Sequence, residues 1–443
     1  MRLKLVLYTL LLGGATLACA IPWETPTPPP PSPSLPSSPP PLFTPSPTPS
    51  PIPTILSPLA LGTPFPVSKE VINILLAGAD RREGASFRTD ALIIVSIRPG
   101  DRLVTLISIP RDLYVEIPDW KMQRINAAFP HGELVGYPGG GAGLLKDTIL
   151  LNLGVPIDHV VMVEFDGFRR VIDALGGIEV PMACPFTEYR KVESEETGER
   201  ERVLVTLGPG IVPMDGDTAL WYARSRLLSN DFDRGRRQQE LLRAMYAKAL
   251  QRNMISQAAK LFREFEGWIT TDMQIGDILR LTPLALDIRA ARIRSYFIAG
   301  PLVTPWITPS GGSVLLPNEA AIEAMLEEAL GPPQAEEVVK LRTTVEIWNW
   351  SPNPDWDALA AERLHYAGFR TSIFPPGGQQ SETSLLYDLT GGQNPETSQE
   401  LLALFGLPES SLVSLSESGR QADYRLIIGA DFDPCFDPAS IDR

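Results

Sequence analysis

Five arginines crowd into residues 219–242 of a net-acidic chain: Arg224, Arg226, Arg234, Arg236 and Arg237. Ser229, Asn230 and Asp231 offer an N-cap for a helix starting near Phe232. On that helix Arg234, Gln238 and Leu242 fall at i, i+4 and i+8, on one face. Leu242, Met245, Tyr246 and Ala249 continue the face as an apolar stripe. A stripe that enters the core therefore begins with a guanidinium and an amide. An inward guanidinium needs an anion, because an unpaired buried charge is costly. Its planar fork matches phosphate or carboxylate. The plainer use of the same arginines is a solvated helix end paired with Glu240 or Asp233.

A second charged set lies upstream. The apolar run 71–79 suits a buried strand, closed by Asp80. A polar loop leads to Asp90, and 91–97 reads as a second strand. After a turn, 103–109 reads as a third, ending at Pro110, Arg111 and Asp112. If the second strand is antiparallel to both neighbours, Asp80, Arg88, Asp90 and Arg111 converge on one sheet edge. Two carboxylates beside two arginines suit Mg²⁺ held against a phosphate. They suit equally well two loop carboxylates paired with Arg81 and Arg88.

The elements that must position these groups follow from the rest of the chain. Its 443 residues allow two or three domains. A net charge of -14 argues against nucleic acid as a partner and makes the arginine cluster a focused anion site. Cys19, Cys184 and Cys435 make neither a disulfide framework nor a zinc pattern, though Cys184 and Cys435 could pair in an oxidising compartment. His131, His159 and His365 leave little for a histidine metal site or a catalytic triad, and His159 sits in an apolar run as a structural residue.

Residues 1–20 read as an export signal, with Arg2 and Lys4 ahead of an apolar run too short for a span. Cys19 follows T-L-A and reads as a lipidation site in a context that resembles a bacterial lipobox, with Thr16 where an aliphatic residue is usual; an uncleaved anchor is the other reading. Residues 21–66 are rich in proline, serine and threonine and form an extended spacer. The catalytic domain is expected over 67–335 and a small α/β domain over 339–443.

Within the first, the glycine-rich Y-P-G-G-G-A-G at 137–143 matches no phosphate-loop pattern and reads as a turn before a helix at 142–153. A strand at 157–165, a helix at 167–175 capped by Gly176 and Gly177, and a helix at 214–226 follow. Residues 188–202 read as a solvated charged insertion. In the second, T-T-V-E-I-W-N-W is a strand, 356–367 a helix and Y-R-L-I-I-G-A a last strand. Trp348, Trp350 and Trp356 make a sugar platform if exposed, and core otherwise.

The ordered set N-I-L-L-A-G-A-D, F-R-T-D-A, S-I-P-R-D, R-I-N-A-A-F, F-D-G-F-R-R-V-I-D-A-L-G-G-I, L-W-Y-A-R-S-R and D-F-D-R-G-R-R-Q resembles the LytR–CpsA–Psr family of cell-wall glycopolymer transferases, over about 71–333. The tail resembles the LytR C-terminal domain, with Asn349, Trp350 and Ser351 in place of an N-G-S-like turn. The resemblance implies an α/β fold, a mixed central sheet covered by helices in three layers. It implies transfer of a glycopolymer from a polyprenyl-pyrophosphate carrier onto peptidoglycan, with a phosphodiester formed, at the outer face of the cytoplasmic membrane.

Carried across, Asp80 and Asp90 are the Mg²⁺ carboxylates. Arg88, Arg111, Arg124, Arg224, Arg226, Arg234 and Gln238 hold the pyrophosphate, with Arg124 where lysine is usual. Arg111 is also catalytic, and Asp90 or Asp112 is the base for the acceptor hydroxyl. Two other readings use the same residues: a polyprenyl-pyrophosphate hydrolase, and a non-catalytic lipid- or wall-binding protein.

Overall fold

A computed structural model describes residues 71–80, 88–193, 200–226, 231–265, 267–375, 380–417 and 419–436. The expected export segment with Cys19, the proline-rich spacer and the cap residues Ser229 and Asn230 lie outside the described residues. So do the side chains of Asp80, Arg88, Arg200 and Asp231.

The three apolar runs are strands β1 (Ile72–Asp80), β2 (Arg88–Arg98) and β3 (Leu103–Ile109). Every residue of β3 is buried, so both its faces are covered, as a continuous apolar run requires. Two short strands, β4 (Tyr114–Glu116) and β5 (Met122–Arg124), pair with each other. Helices α1 (Ala128–Val135) and α2 (Gly140–Leu153) come next. The second starts two residues earlier than expected, because the glycine run serves close packing. A Cβ on Gly141 would stand 2.4 Å from the Phe129 carbonyl oxygen.

Strand β6 (His159–Glu164) passes straight into α3 (Phe165–Ala174), which ends at Gly176 and Gly177, both at positive φ. The solvated charged insertion expected at 188–202 falls between β7 (Ile178–Met182) and β10 (Gly210–Met214). It is a hairpin of β8 (Phe186–Glu193) and β9 (Arg200–Leu207), registered from Phe186 opposite Leu207 to Glu193 opposite Arg200. On β9 the half-buried Val203, Val205 and Leu207 alternate with the exposed Arg202, Leu204 and Thr206, a period-two pattern hidden by the net charge of the segment. Helix α4 (Gly216–Arg224) starts later than expected, because Asp215 caps it by accepting from Thr218 N at 2.8 Å. Helix α5 (Asp231–Gln251) follows.

The remaining elements of this part are α6 (Ala258–Glu264), β11 (Ile269–Thr271), α7 (Ile275–Asp287), β12 (Ile293–Phe297), β13 (Val303–Ile307), β14 (Ser313–Pro317), α8 (Glu319–Leu330) and α9 (Ala335–Lys340). The central sheet has the order β11-β6-β1-β2-β3-β12. Strand β2 is antiparallel to β1 and β3, while β6 and β12 join in parallel. One face buries Leu75, Leu92, Ile94 and Ile107 under Leu144, Ile149 and Leu326 of α2 and α8. The alternate residues Ile93, Val104 and Leu106 face Leu242 and Tyr246 of α5 and Leu284 of α7. Each such fully buried aliphatic side chain contributes about 1.5–3 kcal/mol. The result is the expected mixed sheet between two helical layers.

The tail carries β15 (Thr344–Asn349), α10 (Trp356–Tyr366), β16 (Arg370–Phe374), β17 (Leu385–Asp388), α11 (Pro395–Leu404), β18 (Leu412–Ser414) and β19 (Tyr424–Ile428). They make a second sheet, β16-β15-β19-β17-β18, with its own core around Ile347, Phe369 and Leu426. Trp348 stacks on Phe374 and Trp356 packs edge-on to Phe432, so both serve packing rather than an open platform. Cys184 and Cys435 form a disulfide that ties the tail to the loop after β7. His159 is structural, as expected: it stands 3.6 Å from Asp272, which also binds Lys146.

Candidate functional site

The edge where β1 ends and β2 begins is irregular. Gly78 pairs with Ala91, Ala79 with Thr89 and Asp80 with Arg88, so Asp90 is the extra residue of a bulge. A bulge re-aims a side chain that strict alternation would send to the other face. Asp90 consequently lines the same cavity as Ala91 and Ile93. Pro110 has no N–H to extend the β3 ladder, and the chain turns there, with Leu113 N donating to Pro110 O at 3.0 Å. That turn delivers Arg111, whose Nη1 donates to Asp90 Oδ1 at 2.7 Å. The R-I-N-A-A-F segment braces both partners. Asn126 N donates to Arg111 O at 3.3 Å, and Thr89 Oγ1 donates to Asn126 O at 3.5 Å.

Helix α5 supplies the facing wall. Arg234, Gln238, Leu241, Leu242 and Met245 line the cavity, which holds about 350 Å³. Arg234 is only 6% exposed. The helix is keyed to the sheet by Gln239, fully buried, whose Nε2 donates to Ser108 Oγ at 2.8 Å and Tyr296 O at 3.1 Å. The end of α4 brings Arg224 and Arg226 to the rim, with Arg224 over the Phe165 ring at 3.9 Å. Arg234 and Met245 are eleven residues apart on one helix, about 16 Å at ~1.5 Å per residue. The cavity is thus cationic at one end and apolar at the other, where Leu76, Phe168, Val171 and Ile269 join Met245.

Arg111, Asp90, Arg224, Arg226, Arg234 and Gln238 therefore come together as the sequence suggests. Arg124 and Asp112 do not line the cavity. Asp112 stands between Arg111 Nε and Arg124 Nε, each 3.4 Å away, and Arg124 Nη2 donates to Ser313 O at 2.6 Å. The other two arginines of the cluster have separate tasks. Arg236 pairs with Glu240 at 3.2 Å, the plainer pairing considered above. Arg237 is 1% exposed, donates to Ser225 O and lies over the rings of Phe186 and Tyr222. Burial lowers the affinity of its guanidinium for a proton from the ordinary value. Burial, then Glu240, raises the Tyr222 hydroxyl pKa well above the usual phenol range. The sequence reading did not single out Gln239 or the burial of Arg237. Arg237 and Gln239 flank Gln238 on either side of the cavity face of the helix, so their roles depend only on what packs against them.

Among the described residues, no group of three or more His, Cys, Asp or Glu side chains could hold a metal. The Asp90 carboxylate is partly open to water and stands two residues from Arg88, the register partner of Asp80. Among the described side chains Asp90 is the carboxylate at this edge that could offer oxygen to a hard cation, and its Oδ1 also accepts from Arg111. An anion at the cationic end and a long apolar group behind it would complement every wall described.

A family model described as the LytR_cpsA_psr family matches residues 58–329. The chain is similar to the polyisoprenyl-teichoic acid–peptidoglycan teichoic acid transferase TagU of Oceanobacillus iheyensis, 32% identical over 226 residues, which are 51% of this chain and 65% of the relative. It is similar to the TagU of Enterococcus faecalis, 30% identical over 230 residues, 51% of this chain and 68% of that protein. The first match thus spans just under two thirds of the relative's length. Among solved structures, that of TagV from Bacillus subtilis is 26% identical with a TM-score of 0.48, covering 60% of this chain and 100% of that one. The tail beyond residue 329 lies outside the family match.

Proposed function

As the chain belongs to the LytR–CpsA–Psr family, we propose that it is a phosphotransferase that moves a glycopolymer from a polyprenyl-pyrophosphate carrier onto peptidoglycan. The observation that carries this reading is one cavity with an arginine-rich end and an apolar end. The prenyl chain fills the apolar part, each buried CH₂ contributing about 0.8 kcal/mol. The pyrophosphate meets Arg111, Arg224, Arg226, Arg234 and Gln238.

In the transfer, an acceptor hydroxyl oxygen bonds to the phosphorus that carries the polymer. The bond from that phosphorus to the bridging oxygen breaks, and prenyl monophosphate leaves with the electron pair. The hydroxyl proton passes to a carboxylate, Asp90 or Asp112. The arginines stabilise charge on the leaving phosphate, so catalysis is mainly positioning and electrostatics. Asp80 and Asp90 would hold Mg²⁺, which when bound supplies further positive charge against the pyrophosphate oxygens.

The Cys184–Cys435 disulfide supports a location in an oxidising compartment. With the charged start, the Cys19 context and the proline-rich spacer, it favours an exported protein anchored at the outer face of the membrane. The separate sheet and core of the tail are compatible with a LytR-type C-terminal domain. The test is transfer from a synthetic pyrophosphate-linked lipid, with and without a peptidoglycan oligomer. Release of prenyl phosphate that needs no acceptor would make the protein a hydrolase, and no turnover with binding retained would make it a binding module.

A further inference from the structure

We infer that Tyr114, Arg124 and Trp306 form the seat of the acceptor glycan, beside the mouth of the cavity. This rests on the transferase reading. A row of charges leads out of the cavity: Arg111 at its rim, Asp112 next, then Arg124, with 3.4 Å at each step. Tyr114 and Arg124 are directly opposed in the antiparallel β4–β5 pair, so they share one face. The Trp306 ring lies 5.9 Å from that of Tyr114, tilted by 55°. All three residues are half-buried.

The β13–β14 hairpin that carries Trp306 is stitched to the site. Leu315 N donates to Asp112 O at 2.9 Å, and Ser313 O accepts from Arg124. Its loop is closed by Thr308 N donating to Gly312 O at 2.8 Å and by the Thr308 and Ser310 hydroxyls at 3.0 Å. The strip is therefore preorganised, which lowers the ordering cost of binding. An aromatic face beside a fixed guanidinium and carboxylate suits a sugar, which has an apolar C–H face and a rim of hydroxyls. The strip is assigned to the acceptor rather than the donor polymer because it starts at Arg111, which lines the cavity, and carries Asp112, one of the two carboxylates named for the acceptor proton. A carboxylate that takes a hydroxyl proton is of use only to the attacking sugar, which must come within about 3–3.5 Å of the phosphorus.

The test uses the full chain with Trp306→Leu, which keeps apolar bulk against Tyr114, and Trp306→Phe, which keeps a ring. Binding of a peptidoglycan glycan oligomer is measured without donor, and the KM of donor and acceptor are measured in transfer. Trp306→Leu should weaken glycan binding and raise the acceptor KM about tenfold, with Trp306→Phe near wild type and the donor KM unchanged. Equal glycan binding by wild type and Trp306→Leu overturns the inference, as does a rise in donor KM alone. Absence of transfer by a wild-type protein whose glycan binding still depends on Trp306 sinks the transferase reading and leaves the glycan site standing.

Discussion

Arg111 and Asp90 meet at 2.7 Å across twenty-one residues of chain, each delivered by an irregularity: a proline-ended ladder for one, a bulge for the other. A charged pair held this way is aimed at the cavity rather than absorbed in the sheet. Both side chains remain partly open, at 16% and 31% exposure, so the pair can exchange part of its contact for a ligand.

The first prediction concerns that pair and its partner across the cavity. Arg111→Ala removes one member of a half-buried charge pair and Arg234→Ala a buried guanidinium, each a loss of about 2–5 kcal/mol once a ligand has displaced the water. Transfer should fall by on the order of 10²-fold or more in kcat/KM, with the circular dichroism spectrum unchanged. Arg202, at the exposed end of the hairpin, is the control, and Arg202→Ala should keep wild-type rates. Wild-type turnover by both cavity variants would make these arginines structural.

The second concerns metal. Mg²⁺ binding followed by calorimetry should weaken in Asp90→Asn and vanish in the Asp80→Asn, Asp90→Asn pair. Chelation should suppress transfer and restored Mg²⁺ should recover it. Undiminished Mg²⁺ affinity in the double variant would remove the ion from the mechanism.

A third separates the buried arginine from the catalytic ones. Arg237→Ala strips the Ser225 carbonyl of a donor and leaves a gap against Phe186 and Tyr222. Loss of a buried hydrogen-bonded group of this kind costs roughly 1–3 kcal/mol. The melting temperature should drop while the pyrophosphate-lipid affinity of the folded fraction stays near wild type. A normal melting curve with lost affinity would move Arg237 into the binding site.

The disulfide gives a fourth. Non-reducing digestion should yield one peptide joining Cys184 to Cys435, and the Cys184→Ser, Cys435→Ser pair should be less stable by about 2–5 kcal/mol. Proteolysis near residues 332–337 should also accelerate. Identical stability and cleavage in the pair variant would leave the bridge without a structural role.

Several features were readable in the residues alone because they are periodic and local. The continuous apolar runs of β1, β2 and β3 made buried strands whose antiparallel order brings Asp90 and Arg111 to one edge. The spacing of Arg234, Gln238, Leu242 and Met245 fits a helix face, and α5 turns Arg234, Gln238, Leu242 and Met245 into the cavity. The strands Phe186–Glu193 and Arg200–Leu207 are harder to read, because charge outweighs the short apolar alternation of Val203, Val205 and Leu207.

What periodicity cannot carry was decided by packing between distant segments. Which arginine of the cluster faces a ligand depends on what lies against each side of α5. Phe186 and Tyr222 claim Arg237, Glu240 claims Arg236, and the cavity keeps Arg234. Arg124, placed by resemblance with the pyrophosphate ligands, pairs with Asp112 and reaches Ser313, 189 residues further on. The meeting of Tyr114 with Trp306 and the bonding of Cys184 to Cys435 are of the same kind. A residue's own neighbours set its helix or strand face through backbone geometry, and the sequence records that at short range. Partners across such separations are chosen by how the layers fill space and satisfy buried charge, and that exists only once the chain has folded.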